Sequence, residues 1–470
     1  MVTVVVVVVV VVALVGGDAA RAERDERGDP LSLEEVIEAT ARRFPLVLAA
    51  EKERDVARGE LLSAQGGFDP TLRARLLGEP YGFYRHLHVD AWIEAPTPLW
   101  GTTLFAGYRW FTGTVPVYDG KLVTNTLGEL RAGLNVPLLR NGPIDRRRAS
   151  LRRAEIGKSA AELVARQGLL DAIRAASLRY WDWVAAGRRL AVQETLLALA
   201  TTRNAAIEAR VEAGDLPAIE RTDNARAIVQ REAALVAARR ALEQAAIELG
   251  LYVGDERGVS ASPPARRLPE TIPDPFELPA RRIEEDTQAA IERRPEVRRL
   301  MAQRAQTAVE LKYARNQLWP ALDVTAQVSQ DFGEERPPAR SITEVEGNVF
   351  LDVPIPNRAA IGRIRATEAQ LARTDRQAEY ARDRILADVR DALSAMRAAR
   401  ERVGVTRREV ALARELARAE RQKFDLGDST LIFVNLREQA AAEAAIREID
   451  ALADFQKAYA SYLYATGTAR

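Results

Sequence analysis

Apolar and polar positions divide the chain into two kinds of segment, one repeating every second residue and the other every three or four. In 86–94, Leu87, Val89, Ala91 and Ile93 alternate with His86, His88, Asp90, Trp92 and Glu94. The same period governs 128–136, where Leu130, Ala132, Leu134 and Val136 alternate with Glu129, Arg131, Gly133 and Asn135. It recurs in 321–331 (Leu322, Val324, Ala326, Val328 against Asp323, Thr325, Gln327, Ser329) and in 345–353 (Val345, Gly347, Val349, Leu351, Val353 against Glu346, Asn348, Asp352). Two further candidates, 70–78 and 102–111, lie in the first half only. Period two predicts strands with one apolar face. Over ~10 residues it is the pattern of a transmembrane barrel strand, and also that of a soluble antiparallel sheet with one wet face. Periodicity does not separate the two.

The other segments predict helices. No proline interrupts about 150–213 or about 359–426, both rich in Ala, Arg, Glu and Leu. At 1.5 Å per residue, runs of that length extend about 95–100 Å. In the second run Val389, Met396, Val403 and Val410 recur every seven residues, flanked by a parallel row of Ile385, Ala392, Ala399, Thr406 and Ala413. That seam predicts a coiled coil. Shorter helices are predicted near 33–66, 217–250, 284–318 and 430–466, and pairs of them laid end to end match one long run. Ser32 and Glu35 have the spacing of a capping box, and Pro45 and Pro295 should break their helices. Prolines 263, 264, 269, 273, 275 and 279 make 251–283 a non-helical connector.

The order repeats. Pro45 and Pro70 are mirrored by Pro295 and Pro320 at a constant offset of 250 residues. Val136-Pro137 corresponds to Val353-Pro354, and Gly214 in VEAGDLP to Gly427 in FDLGDST. A repeat of this kind sets the architecture. The first unit covers 23–250, with strands at about 68–137, and the second covers 284–470, with strands at about 319–354.

Composition narrows the function. Lys and Arg number 68 against 67 Asp and Glu, without the basic patch that nucleic-acid binding requires. Cysteine is absent, which excludes disulfides, thiolate metal sites and cysteine nucleophiles. The two histidines, His86 and His88, share a strand face with no third ligand nearby, so no metal is expected. No nucleophile elbow, zinc-protease motif or phosphate loop is present, and neither catalysis nor a cofactor is expected. The apolar block Val2–Val15, followed by Ala20-Arg21-Ala22, predicts a signal peptide over 1–22. Trp92, Trp100, Trp110 and Trp319 lie in or beside strands, where interfacial aromatic girdles form.

The doubled order, carried by LSLEEVIEATARRFP, PLLRNG, RYWDW and VEAGDLPAIERTDNARA, then by ERRPEVRRL, NQLWPALDV, FDLGDSTLIFVNLREQ and YASYLYATG, resembles the TolC or outer-membrane efflux protein family. The resemblance covers 31–466. It implies a mainly α fold with transmembrane β: a long α-helical barrel plus a trimeric β-barrel of about four strands per protomer. It also implies a homotrimer in outer-membrane lipid, a passive conduit for efflux or type I secretion, partnered by a periplasmic adaptor and an inner-membrane pump. The hairpin tips Gly214, Asp215, Leu216, Gly427, Asp428, Thr430 and Leu431 would then face the adaptor. Family members carry aspartates after the second tip, where this chain has Phe433 and Leu436, so Asp428, Phe433 and Leu436 are the candidates for a periplasmic constriction. The first β region is twice as long as the second, leaving extra strand unassigned. The alternative reading is a periplasmic coiled-coil adaptor or scaffold without a barrel.

Overall fold

The structure is a computed structural model describing residues 29–254, 259–337 and 342–469. The signal peptide expected over 1–22 lies outside the described residues. The chain divides into two compact units. One takes the described parts of Met1–Glu51, Ala165–Pro295 and Arg382–Arg470, and the other takes Lys52–Val164 and Glu296–Ala381. Each unit draws on both sequence halves.

The helices are α1 (Leu33–Arg43), α2 (Pro45–Gln65), α3 (Arg146–Glu212), α4 (Ala218–Val253), α5 (Ala280–Arg293), α6 (Pro295–Asn316), α7 (Arg358–Asp425) and α8 (Leu431–Ala465). Pro45 and Pro295 each open a new helix. The residue before each, Phe44 at ψ 121° and Arg294 at ψ 130°, is extended, because a following proline ring disfavours the helical region. The new helix then begins on the proline, whose missing N–H is no loss there. Ser32 caps α1 by accepting the Glu35 N–H at 3.1 Å. The return half of the capping box is not made: Glu35 instead pairs with Arg267 of the connector at 2.9 Å.

In the first unit the core gathers around Trp183, Val184, Tyr180, Leu249, Val36 and Ala451. The Tyr180 hydroxyl donates to the Leu31 carbonyl at 2.8 Å, fixing the chain just before α1. The connector packs here too: its Arg267 carbonyl accepts from Leu31 at 2.8 Å and its Pro273 carbonyl from Gln456 at 3.0 Å. Ile385, Val389, Ala392, Met396, Ala399, Val403, Thr406 and Val410 of the seven-residue rows are all buried, while Ala413 is half-buried. Ion pairs Arg402–Asp454, Arg407–Glu448 and Arg447–Glu409 run down α7 as they run up α8, so the two are antiparallel.

In the second unit six strands form one antiparallel sheet in chain order: β1 (Thr71–Glu79), β2 (His86–Pro96), β3 (Thr103–Gly113), β4 (Glu129–Pro137), β5 (Ala321–Asp331) and β6 (Thr343–Asp352). All six period-two segments are strands of this sheet. Six replaces the about four that the resemblance implied. The added strand lies in the long first β region, which supplies four strands against two from the second.

Candidate functional site

Register places every alternating position on one of two faces. The row Leu72–Ile93–Ala106–Ala132–Val328–Val345 crosses all six strands on one face. Leu76, Val89, Leu104, Leu134, Val324, Val349 and Leu351 share that face. It is exposed: Leu72 to 74%, Leu76 to 71%, Val345 to 83%. The opposite face is polar. There the row Arg75–Asp90–Arg109–Glu129–Asp331 alternates in sign across its first four strands. Directly opposed opposite charges stabilise strand pairing; Arg109 lies 3.4 Å from Glu129. Arg131 binds both Asp90 oxygens, at 2.6 Å to Oδ1. His88 Nε2 and Asn135 Oδ1 on this face have no partner among the described residues, and buried groups of that kind are satisfied by ordered water. A globular sheet buries its apolar face and wets its polar one. Here the apolar face is bare, and over β2 to β5 the polar face is the sheltered one.

Both edges of the sheet are open. Every residue of β1 and of β6 is exposed. Open edges of this length are a template for pairing with another chain.

At the tips of the helical hairpins, glycine ends both long helices. Gly214 at φ +83° and Gly427 at φ +86° occupy the left-handed conformation, which lets the following N–H groups turn back onto the last carbonyls. Asp215 donates to the Arg210 carbonyl at 2.9 Å and Asp428 to that of Lys423 at 2.8 Å. Ile207, Phe424, Leu431 and Val434 form a small core just behind the turns. The Leu431 N–H donates to Glu220 at 3.2 Å, tying the second hairpin to the first.

One layer further in, four helices meet on one carboxylate. Glu438 of α8 is 4% exposed and pairs with Arg203 of α3, Arg231 of α4 and Arg421 of α7. Asn435 accepts from Arg231 at 3.2 Å, and Arg231 also donates to the Leu196 carbonyl at 2.9 Å. Burial alone would raise the Glu438 carboxyl, but hydrogen bonds from Arg203 and Arg421 outweigh it and hold the group below the ordinary glutamate range. Burial, then the neighbouring Arg203 and Arg421 charges, lower Arg231. The cluster is a charged lock joining both hairpins.

Against this geometry, residues 287–468 match the family model of the outer membrane efflux protein. The chain carries an outer membrane efflux protein domain. Its fold matches solved structures over nearly its whole length. A membrane protein from Pseudomonas aeruginosa is 17% identical, covering 92% of each chain with TM-score 0.67. The MtrE outer membrane channel of Neisseria gonorrhoeae, in its open state, is 17% identical, covering 93% of this chain and 88% of its own with TM-score 0.66. The CmeC outer membrane channel of Campylobacter jejuni is 12% identical, covering 93% and 86% with TM-score 0.66. No curated protein matches the sequence. The matched domain is that of a family of outer-membrane channel components rather than enzymes, and the fold of the chain is that of such channels.

The site residues expected from the sequence fall unevenly. Gly214, Asp215, Gly427, Asp428 and Thr430 are exposed at the tips, and Leu216 is half-buried. Leu431 is not available to a partner: it is 0% exposed, because its side chain fills the core behind the turn. Phe433 and Leu436 are 52% and 58% exposed, on the side of α8 away from that core. Trp92 does not belong to a lipid-facing girdle. It is on the polar face, 5.9 Å beneath the Arg131 guanidinium and donating to Glu94, because its parity in β2 matches His88 and Asp90. Trp110 is on the apolar face, opposite Val89. Trp100 and Trp319 are exposed near the other end of the strands. Sequence reasoning missed the Glu438 lock. Its members are an ordinary Glu and three ordinary Arg in helices full of both, and no local signal marks them.

Proposed function

We propose that three copies of this chain close their sheets into one barrel in the outer membrane and extend their helices as a conduit through the periplasm. Three six-stranded sheets supply eighteen strands. A barrel of 16–18 strands leaves an aqueous channel. The observation that carries the reading is the bare apolar face, continuous over all six strands, on a sheet with two open edges. β1 and β6 are nearly equal in length, nine and ten residues. On the polar face β1 carries Arg73 and Arg75, and β6 carries Glu344 and Glu346. Pairing β1 of one copy with β6 of the next removes both edges and opposes unlike charges. Trp110 and the Trp100–Trp319 pair lie about ten residues apart along the strands, about 25 Å of height at a barrel strand's tilt, and would mark the two interfaces.

Residues 23–250 and 284–470, joined by the connector 251–283, are read as repeats of one helix–strand–helix unit. The exposed tip residues Gly214, Asp215, Gly427, Asp428 and Thr430 would meet a periplasmic adaptor coupled to an inner-membrane pump, the source of energy. Asp428, Phe433 and Leu436 would narrow the periplasmic end, with Phe433 and Leu436 making that ring apolar. A helical scaffold without a barrel leaves the bare face unexplained.

The test is single-channel recording of the chain purified from outer membranes in detergent, with its mass in the micelle. Discrete openings from a trimer are expected. A protein soluble without detergent and silent in the bilayer would overturn the proposal.

A further inference from the structure

The connection between β3 and β4, residues 114–128, does not project away from the sheet. Its return limb is fixed firmly to the upper end of β3 and to the β5–β6 connection. The Phe111 N–H donates to Thr124 Oγ1 at 3.1 Å and Trp110 Nε1 to the Thr126 carbonyl at 3.3 Å. Asn125 donates to Asp331 at 3.0 Å, and Leu127 to the Phe332 carbonyl at 3.0 Å. Thr124 and Asn125 are 0% exposed.

The outer limb, a short turn over Val117–Leu122, bends back over the polar face. Arg109 of β3 donates to the Lys121 carbonyl at 3.3 Å, and Lys121 Nζ reaches Glu346 of β6 at 3.2 Å. Both anchors are polar-face positions, and β4 and β5 lie between their strands. The turn therefore lies across the polar face. On the span it crosses, Phe111 of β3 and Ser329 of β5 are buried, whereas Arg73 and Arg75 of β1, outside that span on the same face, are exposed.

We propose that residues 117–122 form a strap across the lumen side of the barrel, a second constriction distinct from the periplasmic tips. The inference rests on the barrel reading above. An eighteen-stranded barrel is too wide for its own side chains to fill, and an inward-folded connection is a direct way to narrow it. The strap's two attachments differ in strength. The base is held by backbone and buried side-chain hydrogen bonds. The far end is held by one exposed hydrogen bond from Arg109 to the Lys121 carbonyl and by Lys121–Glu346, whose side chains are 86% and 51% exposed, and an exposed pair of that kind is weak and screened by salt. The strap would swing from 124–126, opening most readily at high ionic strength. Solutes larger than a hydrated ion would be the ones it delays.

The chain has no cysteine, so single-cysteine labelling in whole cells reads one site at a time. Ser329→Cys, under the strap, is labelled from outside with a small membrane-impermeant thiosulfonate and with a large maleimide-polyethylene glycol. Replacing 117–122 by Gly-Ser-Gly should speed the large reagent by about tenfold or more, as expected when a protecting segment no longer has to open, and leave the small one nearly unchanged. Lys121→Glu, which keeps the loop and repels Glu346, should give a smaller acceleration in the same direction, and it serves if the shortened chain does not assemble. Equal rates in all three proteins, with Val117→Cys (99% exposed) labelled from outside, would overturn the strap alone. Failure to label Val117→Cys from outside would overturn the barrel reading and the strap with it.

Discussion

On the sheet, Leu72, Leu76, Val345 and Val349 are exposed while Asp90, His88 and Ser329 of the opposite face are buried. In the first unit the order is the usual one: Trp183, Val184, Leu249 and Val403 are buried and most ion pairs lie on helix surfaces. The difference teaches what solvent each region faces. Apolar surface is hidden wherever water is the alternative, so a sheet that shows its leucines and shelters Arg109 and Arg131 of its inner strands fits the proposed setting, lipid outside and water within. The Glu438 lock is one exception within the first unit, a charged group buried as deeply as its hydrophobic core. It costs desolvation that hydrophobic packing would not, and in return it ties four helices together at one level behind the tips.

The comparison breaks most severely at that lock. Glu438→Ala leaves the guanidiniums of Arg203, Arg231 and Arg421 facing one another in a buried site, and should cost about 3–5 kcal/mol, read by chemical denaturation in detergent. The pH dependence has a defined sign. A carboxyl held below its unfolded value contributes stability that is complete above about pH 4.5 and is lost as pH falls through the folded value. Wild type should therefore be flat near neutrality and weaken in acid, and Glu438→Gln should lose that acid-side slope. An equal slope in the variant would mean the lock is not the titrating group.

A smaller effect sharpens the two faces of the sheet. Ala326→Arg puts a charge on the apolar face and should cost about 2–4 kcal/mol of insertion into lipid vesicles. Its neighbour Gln327→Arg, on the polar face, should stay within about 0.5 kcal/mol of wild type. Equal costs would make the faces equivalent and remove the contrast on which the barrel rests.

The smallest effect is at the tips. Gly427→Ala meets no atom within 4 Å of the new Cβ, so only the left-handed backbone at φ +86° opposes it, at about 1–2 kcal/mol. Gly214→Ala should match it, because the two turns share one geometry. A thermal shift several times larger at one tip would show that its glycine does more than end a helix.

Local chemistry made much of this readable in the sequence. The six strands followed from period two, since alternation is a property of the strand itself. The breaks at Pro45 and Pro295 and the left-handed turns at Gly214 and Gly427 follow from single residues, and the buried rows of α7 from a seven-residue repeat. What period two could not say was which face meets which solvent, because a wet sheet and a membrane sheet alternate alike. Only register and exposure over all six strands set the bare apolar face apart from the polar one, and the membrane proposal rests on that contrast. Trp92 was misplaced when tryptophan chemistry was weighed above its parity in β2, and Leu431 when nearness to a turn was taken for exposure. The Glu438 lock and the strap over the polar face were not readable at all. Both depend on residues more than a hundred positions apart meeting at one point, Arg203 with Glu438 and Lys121 with Glu346, and only tertiary packing brings such charges together.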